Sequence, residues 1–521
     1  MTTIGRTGLR ALLAAGAVAL SACGPGVWKP TLLDHHGAAP PTGEIPFLKA
    51  HLHSGELVVL TAWSSPDEGA SRLEGRGTRY DAFRAAIATG AVSVPLDSVA
   101  LLESNDRETV GRLAFSGLVA FSALNAFVAG ACLADPKSCF GSCPTFYAET
   151  EHGERLVAEG FSSSFARVIE ATDVDVLPPA RGKRLSLLMR NEAPETHAVR
   201  LVRLLAVPRR GEALVLPEGG GRLRRVLELV EPRACSAGAR DCTAALGAHD
   251  GVEYFSPADA TDLAARETVE LVFPDGEGEL GIVLRARNTL LTTWLFYQTI
   301  ASLGGDAGAW LAALERGDPA LVERSLGLAR ALGGIEVSVT DAAGAWRSVG
   351  AFDEAGPIAS DAHLLTLGVR RAEDGPVRVR LVMARGNWRV DQVALARLGE
   401  LAEPLVMTPA SVVDGDGVED PAARSRLLDP ERHLVTQRGD AWRLRFDLPA
   451  DASDLHLFLE TRGFWYEWMR GEWAGEDDPG MAALAFSDPH AALRRLAPAF
   501  KEREAGMERT FWSSRFRKER P

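Results

Sequence analysis

Apolar and polar residues alternate along much of the chain, with the period of two that is typical of strands with one buried face. The alternation is clear at 57–63, 145–160, 184–208 and 335–352, and turn-forming residues separate these segments. The pattern predicts an α+β, β-rich chain made of several small β-sheet or β-sandwich domains with helical insertions.

Two segments predict strand pairs joined by tight turns. Residues 145–160 predict a hairpin that turns near His152 and Gly153, and residues 268–285 predict two strands on either side of an Asp-Gly turn. We expect the second pair to form a hairpin ahead of a helical insertion.

Apolar residues at helical spacing follow that hairpin and recur near the end of the chain. Residues 288–305 predict a helix with Asn288 as its N-cap, and residues 307–334 and 488–506 predict further helices. Three aromatic side chains of the first helix are expected to pack in a core: Trp294, Phe296 and Tyr297.

The amino terminus has the layout of a secretory signal. Two arginines precede an apolar run at 11–20, and small residues follow that run. Residues 20–23, with the sequence LSAC, match the lipobox of bacterial lipoproteins. The resemblance implies cleavage before Cys23 and attachment of lipid such as palmitate at this residue, with an ordinary secreted protein as the alternative. Gly24, where aspartate would indicate inner-membrane retention, favours the outer membrane by the same resemblance.

Residues 113–134 carry no charged side chain, and as a helix they would extend about 33 Å, enough to cross a bilayer. Polar residues and glycines interrupt the run. If Cys23 is lipidated outside the cytoplasm, one crossing would place the later cysteines in a reducing compartment. We therefore expect a helix buried against protein or lying at the membrane surface, with a true span as the alternative.

Composition indicates a globular protein with several cores. The 521 residues are 46% hydrophobic and 24% charged, and 57 basic against 70 acidic residues give a net charge of −13. Because an acidic surface repels phosphate backbones, we expect no nucleic-acid partner.

Two cysteine pairs are candidate disulfides, which persist outside the cytoplasm. Cys235 and Cys242 enclose a turn-rich hexapeptide, and Cys139 and Cys143 enclose Phe-Gly-Ser. Cys132 is an alternative partner for either member of the second pair. The three-residue spacing and the strand pattern that follows disfavour a thioredoxin-like site, and zinc would need further ligands nearby.

The second cysteine pair belongs to a longer motif. It reads Cys-x-Gly-x-Cys-Pro from 139 to 144 and is followed by Tyr147 and by Glu-Gly at 159–160. The motif resembles one in uncharacterised extracytoplasmic bacterial domains. The segments NEAPETH (191–197) and RGFWYEWMRGEW (462–473) make the wider chain similar to uncharacterised bacterial lipoproteins. This resemblance implies an architecture and brings no assigned activity.

These patterns divide the chain into successive segments. They are a lipoprotein signal peptide (1–22), a flexible tether (23–45), a small β domain (46–105), an apolar helix (106–134), a cysteine-containing β domain (135–250), a β-hairpin with a helical insertion (251–335), a β-sandwich-like segment (336–403) and a C-terminal β domain with a terminal helix (404–521).

Aromatic residues near the carboxyl end are candidates for ligand contact. Trp465 and Trp468 lie beside Tyr466 and Trp473, and aromatic rows of this kind bind sugars or lie at membrane interfaces. If side chains alternate along a strand here, Trp465 points to the side opposite Tyr466 and Trp468, so one face of this strand should be buried. Core packing is therefore the alternative.

Two polar clusters are weaker candidates. Glu192, Glu195 and His197 fall in a predicted turn, where carboxylates beside a histidine can perform acid–base chemistry, although ordinary exposed turns are also charged. Residues 414–420 hold three aspartates but lack the distal glutamate of a calcium loop, so a surface linker is expected. No common hydrolase, P-loop, zincin or dinucleotide motif occurs, and we predict no catalytic residue, metal or cofactor.

Together these observations favour a lipid-anchored cell-envelope protein that acts as a non-enzymatic binding or scaffolding module. Its expected partners are the membrane, through the anchor, and envelope proteins or glycans. One alternative is an envelope glycan hydrolase that uses carboxylates beside the aromatic run. Another is a thiol oxidoreductase that uses Cys139 and Cys143.

Overall fold

Strands dominate the structure, a computed structural model in which they hold 51% of the described residues and helices hold 22%. The prediction of a β-rich α+β chain with several sheets is therefore confirmed. The structure describes residues 26–33, 48–52, 56–64, 71–80, 86–109, 144–150, 153–193, 195–304, 307–315, 317–341, 343–353, 356–357, 361–371, 375–467 and 478–514.

Several predictions fall outside the described residues. They concern the signal peptide, the anchor residue, the apolar run at 113–134, three cysteines and one tryptophan: Cys23, Cys132, Cys139, Cys143 and Trp468. Within the described ranges, no helix is both long enough and apolar enough to span a membrane.

The chain divides into two compact units. The described residues from 26 to 109 belong to the smaller unit, as do a few near position 300 and Asp478. Its sheet is antiparallel in the order β1-β6-β2-β3-β4-β5. The strands are β1 (Gly26–Leu33), β2 (Leu48–Leu52), β3 (Leu57–Trp63), β4 (Arg72–Tyr80), β5 (Ala86–Pro95) and β6 (Val99–Thr109).

The larger unit holds the remaining strands and most of the helices. The strands are β7 (Thr145–Thr150), β8 (Gly153–Glu159), β9 (Ala171–Val176), β10 (Arg184–Arg190), β11 (Glu195–Pro208), β12 (Leu214–Glu218), β13 (Arg222–Val230), β14 (Ala234–Ala237), β15 (Arg240–Asp241), β16 (Tyr254–Phe255), β17 (Arg266–Asp275), β18 (Gly278–Asn288), β19 (Ile335–Thr340), β20 (Trp346–Phe352), β21 (Asp361–Arg371), β22 (Pro376–Ala384), β23 (Trp388–Ala402), β24 (Leu405–Met407), β25 (Ser411–Val413), β26 (Leu434–Thr436), β27 (Ala441–Asp447) and β28 (Leu455–Glu467). The α-helices among the described residues are α1 (Thr243–Gly247), α2 (Leu291–Ser302), α3 (Ala307–Glu315), α4 (Pro319–Ser325), α5 (Gly327–Leu332), α6 (Pro421–Leu428), α7 (Pro479–Ser487) and α8 (Pro489–Ser514).

One pair of sheets packs face to face around a common core. The first sheet has the order β25-β27-β10-β7-β8, and the second has the order β24-β11-β28-β9 with β26 also on β11. Leu187 and Leu444 from the first sheet meet Leu204 and Leu459 from the second. The segments 135–250 and 404–521 thus contribute strands to the same two sheets.

A second pair of sheets follows the same plan. One has the order β13-β12-β21-β18-β23-β16, in which β13 also pairs with β23, and the other has the order β15-β14-β17-β22-β19-β20. Leu284 and Leu395 from the first contact the core that Leu271 and Val379 line from the second.

The two predicted hairpins have different outcomes. Strands β7 and β8 pair from Thr145–Glu159 to Thr150–Gly153, which confirms the first. The prediction of a hairpin at 268–285 is wrong, because β17 and β18 lie in different sheets. Their apolar residues face one core from opposite sides, so the Asp-Gly connection passes from one sheet to the other.

The predicted helices form, but the cap of α2 differs. Asn288 ends β18, and the Thr289 hydroxyl accepts the hydrogen bond from the Leu291 N–H at 3.1 Å. Trp294 is buried against Phe500, as expected of a core residue, whereas the other two aromatic residues of that helix are half-buried.

The predicted disulfide between Cys235 and Cys242 is present. It joins β14 to the residue before α1, and both sulfurs lie in the core of the second sheet pair. Closing a loop of about eight residues stabilises the fold by roughly 2.5 kcal/mol on the chain-entropy model.

A buried ion cluster holds together two neighbouring strands. Arg287 of β18 and Arg389 of β23 are cross-strand partners, which would repel each other if nothing lay between them. The Glu253 carboxylate accepts from Arg287 Nε at 2.7 Å and Nη2 at 2.8 Å, and it lies 3.4 Å from Arg389 Nη1. The Arg287 side chain is only 2% exposed, so this carboxylate neutralises charge that water cannot reach.

Candidate functional site

A cavity of about 150 Å³ opens within the larger unit, beside the end of β28. Helices α2 and α5 form one side, and the loop after β8 forms the other. Four aromatic residues line it, and Trp465 is among them: Phe165, Phe296, Trp310 and Trp465. Apolar concavities with a few polar groups are the usual form of small-molecule sites.

Trp465 is both a core residue and part of the cavity wall. It is 4% exposed and shares the inward face of β28 with Leu457 and Leu459. Its backbone N–H donates to the Ser164 carbonyl at 2.9 Å, and its indole Nε1–H donates to the Ser162 carbonyl at 3.0 Å. These bonds fix the ring against the loop that follows β8.

The opposite face of β28 is buried as well. Tyr466 is 1% exposed, and its hydroxyl donates to the Glu315 carbonyl at 3.1 Å. Alternation along the strand predicts one buried face, whereas the fold covers both. Trp465 therefore contacts the cavity from a strand that is packed on each side.

The aromatic rings pack on one another. The Trp465 ring centroid lies 6.3 Å from that of Phe165 and 5.9 Å from that of Phe296, both in edge-to-face arrangements. Phe165 and Phe296 are 5.9 Å apart. Such pairs contribute about 0.5–1.5 kcal/mol each beyond the area that they bury. The three rings therefore stabilise one another in the cavity wall.

A strained residue holds the loop after β8. Phe161 has φ +38°, which is costly for a residue with a side chain, and its ring packs over Gly463. A Cβ atom at Gly463 would lie 2.8 Å from that ring and 2.4 Å from the Ala198 carbonyl oxygen, so only glycine fits. Backbone strain of this kind concentrates at functional sites.

An ion pair fixes the far end of the same loop. Glu170 accepts from Arg200 Nε at 2.5 Å and from Nη2 at 2.9 Å, and His433 Nε2 lies 3.6 Å from its carboxylate. Burial raises the pKa of Glu170, but the close approach of His433 and the hydrogen bonds and charge of Arg200 outweigh that effect and lower it to about 2. The carboxylate is thus ionised at neutral pH and ties the loop to β11.

The polar groups of the cavity are few. Glu159 at the end of β8 is 4% exposed, and it is the only charged side chain among the described residues that line the cavity. The hydroxyls of Thr299 and Ser325 donate to helix carbonyls at 2.8 Å and 2.7 Å. Two buried lining atoms, Thr292 Oγ1 and Trp310 Nε1, have no hydrogen-bond partner in the described part of the chain. Buried atoms of this kind need an explanation, and a bound polar group would provide one.

The acid–base candidates are not in the cavity. Glu195 and His197 lie in β11 rather than in the predicted turn, and His197 Nε2 is 3.1 Å from Glu195 Oε2 with both side chains 0% exposed. Glu192 accepts hydrogen bonds from Thr145 and Tyr147 at 2.8 Å. These contacts stabilise the first sheet pair and leave the buried pair out of reach of a solvent-borne substrate.

The aspartates of the 414–420 segment shape the chain locally. Asp414 accepts from the backbone of Asp416 and Val418, and Asp420 caps α6. In the described ranges, no group of three or more His, Cys, Asp or Glu side chains is placed to hold a metal ion.

Sequence reasoning missed most of the cavity. Trp465 was a candidate, but Phe165 and Trp310 were not singled out, and Phe296 was expected in a core. The only signal was the run Gly-Phe-Ser-Ser-Ser-Phe at 160–165, whose small residues mark a loop between two strand patterns.

Comparisons with known proteins give no family and no close structural neighbour for this chain. No family model and no curated protein matches the chain. An allantoicase structure is 9% identical over 49% of this chain and 90% of its own, with a TM-score of 0.18. Allantoicase from Saccharomyces cerevisiae is 8% identical over 43% of this chain and 81% of its own, with a TM-score of 0.18. A GH31 α-xylosidase from Xanthomonas citri is 7% identical over 84% of this chain and 38% of its own, with a TM-score of 0.15. Similarity this weak carries no argument about function.

Proposed function

We propose that this chain is a lipid-anchored protein of the cell envelope, at the outer membrane, and that it acts as a non-enzymatic binding module. The aromatic cavity beside Trp465 binds the apolar part of a small ligand. The observation that carries the binding role is the cavity itself, with packed aromatic rings and two buried polar atoms that have no partner among the described residues, whereas the anchor rests on the LSAC sequence at 20–23.

The size of the cavity defines what it can hold. An apolar cavity of about 150 Å³ accommodates a molecule of benzene's size. Most small-molecule sites are larger, so the cavity takes one apolar group of a ligand whose remainder extends outward. Glycosidases of the common kind use two carboxylates, and Glu159 is the only one among the described lining residues, so no specific observation favours a hydrolase.

The anchor is tested by its cysteine. In cells fed labelled palmitate, we expect Cys23→Ala to lose the label and leave the membrane fraction, because several acyl chains are needed for stable anchoring. A Cys132→Ala variant should keep both the label and the membrane association. Label that persists on Cys23→Ala, or an unlabelled wild-type chain in the cytosol, would refute the anchor.

Ligand binding is tested by closing the cavity. Ala329 lies on α5 and lines the cavity with its side chain exposed, so Ala329→Trp should fill the opening without disturbing the core. We expect toluene to bind the wild-type protein in saturation-transfer NMR and to lose binding in this variant. Ala320→Trp, at an exposed position of α4 away from the cavity, should bind as the wild type does. A wild-type protein that does not bind toluene contradicts the proposal.

A further inference from the structure

The sheet of the smaller unit ends in a long strand that is paired on one side only. Strand β5 pairs with β4 along its whole length, from Arg72–Pro95 to Tyr80–Ala86. On its other side, no strand in the described part of the chain lies beside it. Every second residue of this ten-residue strand therefore turns its backbone N–H and C=O groups outward, and an edge of this kind is a template for a further strand.

The composition of β5 differs from that of the other strands that end a sheet. Its sequence is AIATGAVSVP, which holds no charged side chain and has proline only at its last position. Proteins usually protect sheet edges by keeping them short or by placing charges on them. The other edge strands of the described sheets follow that rule, since five of them have two or three residues (β15, β16, β24, β25 and β26) and four carry at least one charged residue (β1, β8, β9 and β20). Among these edges, β5 alone is both long and uncharged.

The first part of β5 is accessible as well as unpaired. Four consecutive residues are exposed: Ala86, Ile87, Ala88 and Thr89. Because neighbouring residues of a strand point to opposite faces, both faces of the strand are open to solvent here. Ile87 is 55% exposed although it is a large apolar residue. A partner strand can therefore reach this edge.

The chemistry of the edge favours an identical strand as the partner. A strand recognised by its charge would find no opposite charge on β5. A second copy of β5 brings the same small and apolar side chains, so antiparallel pairing of the two strands places no charge opposite another. Pairing of this kind about a twofold axis is self-complementary, and most homo-oligomers are dimers with this symmetry. The pairing also closes, because each copy uses the same edge.

We propose that two copies of this chain associate through β5, so that the six-stranded sheet of one copy continues into that of the other. This surface does not include the residues of the aromatic cavity, and the proposal is therefore independent of the proposed function. The contact consists of a single strand pair and buries less surface than a standard interface. We accordingly expect a dissociation constant in the micromolar range.

Sedimentation velocity and hydrogen exchange test the association together. The probe is the mature chain with Cys23→Ala, so that no acyl chain can drive it to associate. We expect the mass to double as the concentration rises through the micromolar range, with no larger species. The amides of residues 86–95 should exchange more slowly with deuterium at the higher concentrations. A chain that stays monomeric, one that forms open-ended assemblies, or a dimer in which exchange at β5 does not depend on concentration would overturn the proposal.

A matched pair of variants locates the contact. Ile87 and Val252 are both large apolar residues, with 55% and 57% exposure, and Val252 lies in the larger unit. Ile87→Lys places like charges on the two facing strands and should raise the dissociation constant at least about tenfold, which corresponds to about 1.4 kcal/mol. Val252→Lys should associate as the wild type does. If both variants dimerise equally well, the contact does not lie at β5. The wild-type measurements decide the proposal even if Ile87→Lys does not fold.

Discussion

Replacing Trp465 with alanine should lower the free energy of unfolding of the larger unit by about 3–5 kcal/mol. The substitution removes a buried ring that packs on Phe165 and Phe296, and it leaves the Ser162 carbonyl without its donor. Urea unfolding followed by circular dichroism measures the change as a shift in the transition midpoint.

Trp346→Ala provides the comparison. Trp346 lies on the edge strand β20, half-buried, with the Arg380 guanidinium 4.0 Å from its ring centroid. An interaction of that kind near the surface contributes about 0.5–1 kcal/mol. If Trp465→Ala costs no more than Trp346→Ala does, Trp465 does not belong to the core.

Glu253→Gln should also cost about 3–5 kcal/mol, because it removes a buried negative charge that pairs with both Arg287 and Arg389. Glutamine keeps the shape and one acceptor oxygen, so the loss reflects charge rather than packing. The measurement is again the free energy of unfolding in urea, at neutral pH, where carboxylate and guanidinium groups are both charged.

The same substitution at Glu323 is the control. Glu323 pairs with Arg330 at the surface, where the side chains are 62% and 56% exposed. Water and salt screen such a pair, and it contributes about 0–1 kcal/mol. Equal costs for Glu253→Gln and Glu323→Gln would contradict the view that the buried cluster depends on its carboxylate.

Local patterns in the sequence predict local structure well. The hairpin at 145–160, the helices after position 288 and the disulfide at Cys235 depend on neighbours within a few residues, and each is present. Each is specified by alternation, helical spacing or a short turn. None of them requires knowledge of what lies elsewhere in the chain.

Pairing between distant segments cannot be predicted in this way. The strands at 268–285 look like a hairpin because an Asp-Gly turn joins two alternating runs. Both runs bury apolar residues against one core. A hairpin within one sheet would bury them in this way, and so does a connection that passes from one sheet to the facing sheet. Only the strands with which β17 and β18 pair elsewhere in the chain, namely β14, β21, β22 and β23, decide between the two arrangements.

The residues that line the cavity could not be predicted from local patterns either. The sequence left core packing and ligand contact open for Trp465, and the structure buries this residue in a core where it also lines the cavity. Glu159, Phe165 and Trp310 come from separate elements, and no spacing in the sequence indicates that they meet. Glu159 in particular follows an ordinary strand pattern, so its burial depends on packing that the sequence does not display.

The pairing of β11 with β28 has a consequence for how the molecule is made. Leu204 and Leu459 are neighbours in the sheet although 255 positions separate them along the chain. During synthesis, β11 is made long before β28. Its edge therefore stays without that partner strand until the last quarter of the polypeptide has been made. An unpaired strand of this kind is prone to aggregate. We therefore expect the nascent protein to need a chaperone until residue 467 has been made.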